Sequence, residues 1–182
     1  MDDPLSERHG EAFELGEQLT VVGRKLQVGE FAPDFELETF DADTGMLRTV
    51  RLADTSGSIR VLNIVNSLDT PVCHRETRQW ESMRADLSDA VVLLTISMDL
   101  PFAQARWNAA EGVTHSALSS HKSERFGCAY GVFIKEWRLL QRAVFVLDGD
   151  GRLVYAEYVP DQMREPSYAA ALQAVHTALG QQ

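Results

Sequence analysis

Residues 61–80 read VLNIVNSLDTPVCHRETRQW, and the hydrophobic period of the chain changes in the middle of that stretch. The run RVLNIVNS, from Arg60 to Ser67, is apolar and β-branched on successive positions, the pattern of a strand covered on both faces. After it, Pro71 suits the first helical position, Thr70 suits the cap, and Trp80, Met83 and Leu87 recur at helical spacing. A buried strand is thus expected to run straight into a helix. VVLLTIS repeats the buried-strand pattern, and DLPFAQARWNAAEG enters a second helix at Pro101 and leaves it at Gly112. The order βαβα favours a parallel sheet.

Outward from this unit the pattern is less regular. Residues 1–14, rich in Asp, Glu, Ser and Gly, carry no apolar period and are expected to form a mobile tail, leaving 15–182 as a single domain. LTVVGRKLQV places two β-prone runs around Gly23-Arg24, which suggests a hairpin. Ala32-Pro33 forces an extended step before a short strand. DADTGMLRTVRLAD is turn-rich and strand-like at its end, and SERFGCAYG suits a short helix. RAVFVLD and RLVYAEYV flank Asp148-Gly149-Asp150-Gly151, the strongest hairpin signal in the chain. Glu165-Pro166 opens a last helix that carries Tyr168, Leu172, Val175 and Leu179 on one face. The fold class expected is α/β: a thioredoxin-like arrangement in which a central mixed β-sheet is flanked by helices, with an N-terminal β-hairpin.

Composition narrows the function classes. The 182 residues hold 17 Lys and Arg against 27 Asp and Glu, a formal charge of −10, which disfavours contact with nucleic acid or an anionic membrane surface. No apolar run approaches the roughly 20 residues that span a bilayer. Acids stand among the first fifteen residues, where a signal peptide needs a basic start, so a cytoplasmic location is expected. Two cysteines, Cys73 and Cys128, with no C-x-x-C pair and no histidine at zinc spacing, predict no metal site. Each thiol is then either a small buried hydrophobe or a reactive group.

Cys73 lies in the first turn of the expected helix. That turn leaves backbone N–H groups unpaired and places about half a positive charge beside them, so a thiolate is favoured there over the thiol, whose free pKa is about 8.5. Thr70 can turn its hydroxyl toward the sulfur, and the strand-to-helix turn sits where open α/β sheets bind ligands. A lone cysteine is more often inert packing; the Thr-Pro-x-Cys helix entrance argues the other way. His74 points away from Cys73 on a helix, and His9, His115, His121 and His176 read as surface residues.

The stretch from Val61 to Trp80 resembles the active-site segment of peroxiredoxins, more narrowly of the bacterial thiol peroxidases, which read much like NxxPSxDTPVCxxxTRxF. LTVVGRKLQVGEFAPDFEL, ISMDLPFAQARW, AYGVF and RAVFVLDGDGRLVY extend the resemblance over 19–179. It implies that Cys73 is the peroxidatic cysteine, that Thr70 is the active-site hydroxyl and that Arg142 approaches the sulfur from a neighbouring strand. It also implies reduction of hydrogen peroxide and organic hydroperoxides without metal, haem or flavin, a homodimer, and thioredoxin or another thiol as reductant. Asn66, Pro71 and Val72 line the implied pocket. Asn66 stands where the family carries a proline. The family's resolving cysteine falls at Asn108, which leaves three options: recycling by an external thiol, a resolving role for Cys128, or a structural Cys128. A slowly oxidised redox sensor or thioredoxin-like binding module is the competing reading.

Overall fold

The computed structural model describes residues 5–181. In chain order the elements are β1 (Glu7–Glu14), β2 (Glu17–Val22), β3 (Glu36–Asp41), β4 (Met46–Arg51), β5 (Ile59–Ile64), α1 (Pro71–Arg84), β6 (Val91–Ser97) and α2 (Pro101–Glu111). There follow β7 (Ser116–Ser119), α3 (Arg125–Ala129), β8 (Phe133–Ile134), β9 (Leu139–Leu140), β10 (Ala143–Leu147), β11 (Leu153–Tyr158) and α4 (Tyr168–Leu179). A seven-stranded sheet has the order β11-β10-β5-β6-β7-β3-β4, and a smaller sheet has the order β1-β2-β8-β9. Strands β5, β6 and β7 are parallel neighbours, while β10 pairs antiparallel with both β5 and β11. This is the mixed sheet that the βαβα unit and the late hairpin predict.

Every residue of β5 is buried, because helices cover both sides of it. Ile59 and Val61 pack with Trp80 of α1 and with Ala171 and Val175 of α4. Leu62 and Ile64, on the alternate positions, pack with Phe126 of α3 and with Tyr130. Helix α2 stops at Gly112, whose φ of 68° is the left-handed conformation that a helix end favours in glycine. Among the described residues, no helix is long and apolar enough to cross a membrane.

The N-terminal region departs from its sequence pattern. Glu7–Glu14, read as part of a mobile tail, is a strand paired antiparallel with β2; residues 1–4 lie outside the described residues. The hairpin turns at Leu15-Gly16, both at positive φ, rather than at Gly23-Arg24. Its signal is weak in sequence because β1 buries only Ala12 and is broken by a register shift between Arg8 and Ala12. Gly23 instead ends β2 where another backbone passes: a Cβ there would stand 1.9 Å from the carbonyl oxygen of Cys128. The last helix starts at Tyr168, with the Ser167 hydroxyl as its cap, rather than at Pro166.

Candidate active site

Helix α1 begins just beyond the carboxyl end of β5, and the six residues between them are fixed by a carboxylate that follows β6. Asp99 accepts hydrogen bonds from the Ser67 hydroxyl at 2.7 Å, the Leu68 N–H at 2.9 Å and the Ser97 hydroxyl at 2.8 Å. Thr70 is the residue before the helix, as expected. Its hydroxyl, however, donates to the Ser67 carbonyl at 2.8 Å and caps no helical N–H, so it tightens the turn instead. Pro71 is exposed and Val72 is buried. The His74 N–H donates to the Thr70 carbonyl at 2.9 Å, leaving the Val72 and Cys73 N–H groups at the open start of the helix.

Cys73 is fully buried, in contact with Val65, Leu68, Trp107 and Val113. Arg142 reaches it from the opposite direction. The first pair between β10 and β5 is Ala143 with Ile64, so the start of β10 lies beside the end of β5 and next to the first turn of α1. Arg142 is 1% exposed, and both terminal nitrogens of its guanidinium are engaged, while Nε has no partner. Nη1 lies 3.3 Å from Sγ of Cys73 and also pairs with Oε2 of Glu76; Nη2 donates to the Gln162 carbonyl at 2.8 Å and to Oδ1 of Asn66 at 3.3 Å.

Asn66 is part of this cluster rather than a flexible rim. Its amide nitrogen donates to the Leu140 carbonyl at 2.6 Å and to Oε1 of Gln162 at 3.1 Å, which leaves Oδ1 directed at Arg142 and 3.7 Å from the Cys73 sulfur. Gln162 Oε1 also accepts the Arg142 backbone N–H at 2.9 Å. The structure therefore brings Cys73, Arg142 and Asn66 together, and it adds Glu76 and Gln162, which sequence reasoning had not singled out. Glu76 carries a legible signal, since it lies three residues after Cys73 on the face that also buries Thr77 and Trp80. Burial pushes the Glu76 carboxyl up to about 8, with Arg142 pulling it back down and Glu165 and Glu157 adding to the rise.

Cys128 belongs elsewhere. It sits on α3 against Val22, Phe133 and Met98, at the join with the small sheet, and burial pushes its thiol up, with Glu124 adding to the effect. Both cysteines are free thiols. His74 is half-exposed, edge-on to Trp107 and 3.3 Å from Glu111. His115, expected on the surface, is buried between Thr95 Oγ1 at 2.8 Å and Glu81 Oε2 at 2.5 Å. The β-strand that follows it is only four residues long, which hides its burial from sequence reading. Among the described residues no group of three or more His, Cys, Asp or Glu side chains is placed to hold a metal ion.

The sequence profile of the AhpC/TSA family matches residues 28–156. The chain belongs to that family. It is 47% identical over 162 residues to the thiol peroxidase of Streptococcus parasanguinis, covering 88% of this chain and 95% of that protein. It is 44% identical over 160 residues to the thiol peroxidase of Bacillus subtilis, with 87% and 92% covered. The peroxiredoxin-like protein of Aquifex aeolicus superposes with a TM-score of 0.78 at 29% identity, covering 93% of this chain and 98% of the other. For the thiol peroxidase of Chromobacterium violaceum the TM-score is 0.79 at 21% identity, with 94% and 98% covered, a likeness of fold. The peroxiredoxin assignment implied by the active-site motif and the thioredoxin-like fold both stand.

Proposed function

We propose that this AhpC/TSA-family chain is a thiol-dependent peroxidase that reduces hydrogen peroxide and organic hydroperoxides through Cys73. The observation that carries the reading is the guanidinium of Arg142, 3.3 Å from the sulfur at the open start of α1. A positive charge and two helix-start N–H groups face the sulfur there and receive the oxygen that departs. The thiolate attacks one peroxide oxygen, a sulfur–oxygen bond forms and the oxygen–oxygen bond breaks. Sulfur is oxidised to sulfenic acid, while the peroxide leaves as alkoxide or hydroxide and takes up a proton. Asn66 Oδ1, held toward the sulfur by its two donor bonds, accepts the peroxide O–H and orients it; Thr70 fixes the turn from which Cys73 is presented.

The sulfenic acid is recycled by an external thiol of the thioredoxin class. Cys128 acts as a structural residue, in keeping with its separate packing cluster and its raised thiol. A cytoplasmic enzyme and a homodimer complete the proposal. The exposed Leu100 and Phe102 at the start of α2, with the Phe102 ring tilted against Phe40 at 5.2 Å between centroids, offer the apolar surface that a second copy would cover. A slow redox sensor is disfavoured by thiol peroxidase relatives that span nearly the whole chain.

A peroxide-consumption assay with thioredoxin and with a small dithiol tests the proposal. Multiple turnovers with either donor, lost in Cys73→Ser, are expected; a single slow oxidation without turnover would support the sensor instead.

A further inference from the structure

Arg142 Nη1 faces two groups that can each become an anion, the Cys73 sulfur at 3.3 Å and Oε2 of Glu76. Sulfur and carboxyl are both completely buried, and Oε1 of Glu76 has no hydrogen-bond partner. The charged groups that face Glu76 from the other elements are Glu157 of β11 and Glu165 before α4, both of which oppose its ionisation. The Tyr168 hydroxyl of α4 is engaged with Glu165 at 2.8 Å. Among the described residues Arg142 is thus the one cation that compensates negative charge on Glu76, and it is the same cation that faces the Cys73 sulfur. A buried site with one positive charge accommodates one anion at low cost; a second, with an oxygen left bare, is strongly disfavoured.

We propose that Glu76 is a positioning residue that carries a proton in the resting enzyme: it fixes Arg142 as a neutral hydrogen-bond acceptor, leaves the guanidinium charge to the Cys73 sulfur, and silences the site when it ionises. The inference rests on the reading of Cys73 as the peroxidatic sulfur. It adds an internal pH limit to that chemistry. The rise of the Glu76 carboxyl to about 8 places the limit within reach of a titration. Above that range two anions share one guanidinium, and the charge available to the departing oxygen falls.

Two measurements test it. The infrared carbonyl band of a protonated carboxylic acid is followed in the wild-type protein between pH 7 and pH 9. In parallel, the second-order peroxide rate is taken over the same range for wild type, Glu76→Gln and Cys73→Ser. The band is expected at pH 7 and lost by pH 9, and the wild-type rate is expected to fall about tenfold across the interval while Glu76→Gln stays level within about twofold. Absence of the band at pH 7 overturns the proposal whether or not the Gln variant folds. So does an alkaline fall in Glu76→Gln equal to that of the wild type, since a role limited to packing would leave that limb in place. Persistent peroxide reduction by Cys73→Ser would instead overturn the assignment of the sulfur itself, a failure distinct from that of Glu76.

Discussion

Nη1 of Arg142 lies 3.3 Å from Sγ of Cys73, although the two residues are 69 positions apart in the chain. The contact follows from topology. Strand β10 runs antiparallel to β5, so its first residues lie beside the end of β5, where α1 begins. Both side chains are withdrawn from water, which strengthens the interaction between them.

Removing the guanidinium should act on the reaction and also on stability, since Glu76, Asn66 and the Gln162 carbonyl each lose a buried partner. Arg142→Met is expected to lower the second-order peroxide rate by on the order of 10²-fold or more. Arg142→Lys should recover only part of that loss, because one ammonium cannot span Sγ, Asn66 Oδ1 and the Gln162 carbonyl together. Stopped-flow oxidation of the two variants checks this; equal rates for Lys and Arg would show that charge alone matters.

Asn66→Pro restores the residue that the family motif carries but removes two donor bonds. Leu140 O and Gln162 Oε1 lose a partner, and Arg142 Nη2 loses one of its acceptors. The cost is expected to be about 1–3 kcal/mol, read as a fall in Tm of roughly 2–4 °C per kcal/mol. The peroxide rate should drop by about 3–10-fold without being abolished, the effect of one hydrogen bond. An unchanged melting curve together with an unchanged rate would show that the amide cluster has no role.

Much of this arrangement is legible from sequence and some is not. The period change at Asn66–Pro71 locates the strand-to-helix turn, and the strands RVLNIVNS, VVLLTIS and RAVFVLD are recognisable because each is buried on both faces. Cys73 is legible because helix entrances have a local signature. Glu76 is only half legible: a glutamate on a helix reads as a solvated charge unless its neighbours at one-turn spacing are buried. Gln162 follows β11 in a loop with no period at all, and its role depends on contacts to Asn66 and Arg142 that only the folded chain creates. The N-terminal hairpin is expected from the sequence but its turn is placed too late, because Leu15-Gly16 lacks the Asn-Gly or Asp-Gly signal and β1 contributes one buried side chain.

The fate of the oxidised sulfur can be read by mass. One equivalent of peroxide should add one oxygen to the wild-type chain and to Cys128→Ser alike, since Cys128 packs in a separate cluster from Cys73. A loss of two hydrogens that disappears in Cys128→Ser would make Cys128 a resolving cysteine.

Stability should fall on mild acidification. Burial holds the His115 pKa below its ordinary value of 6.5, while Glu81 pulls it upward less strongly. The unfolded chain then binds more protons than the folded one in the window below about 6.5, so stability rises with pH there and is lost as pH falls through the folded value. Although burial raises it, hydrogen bonds from Arg84, Thr114 and His115 hold the Glu81 carboxyl well below the usual carboxylate range, and its contribution disappears only at still lower pH. Urea midpoints between pH 7 and pH 5 should decline in the wild type and decline less steeply in His115→Asn. Parallel slopes in the two proteins would assign the acid sensitivity to other groups.

If Cys73, buried beside Arg142, is the residue that peroxide oxidises, the second-order rate of hydrogen peroxide with the reduced protein at pH 7 reports it directly. Wild type and Cys128→Ser are expected to react alike and on the order of 10³-fold or more faster than free cysteine, with Cys73→Ser at background. A wild-type rate close to that of free thiol, or full reactivity retained in Cys73→Ser, would rule out Cys73 as the peroxidatic residue.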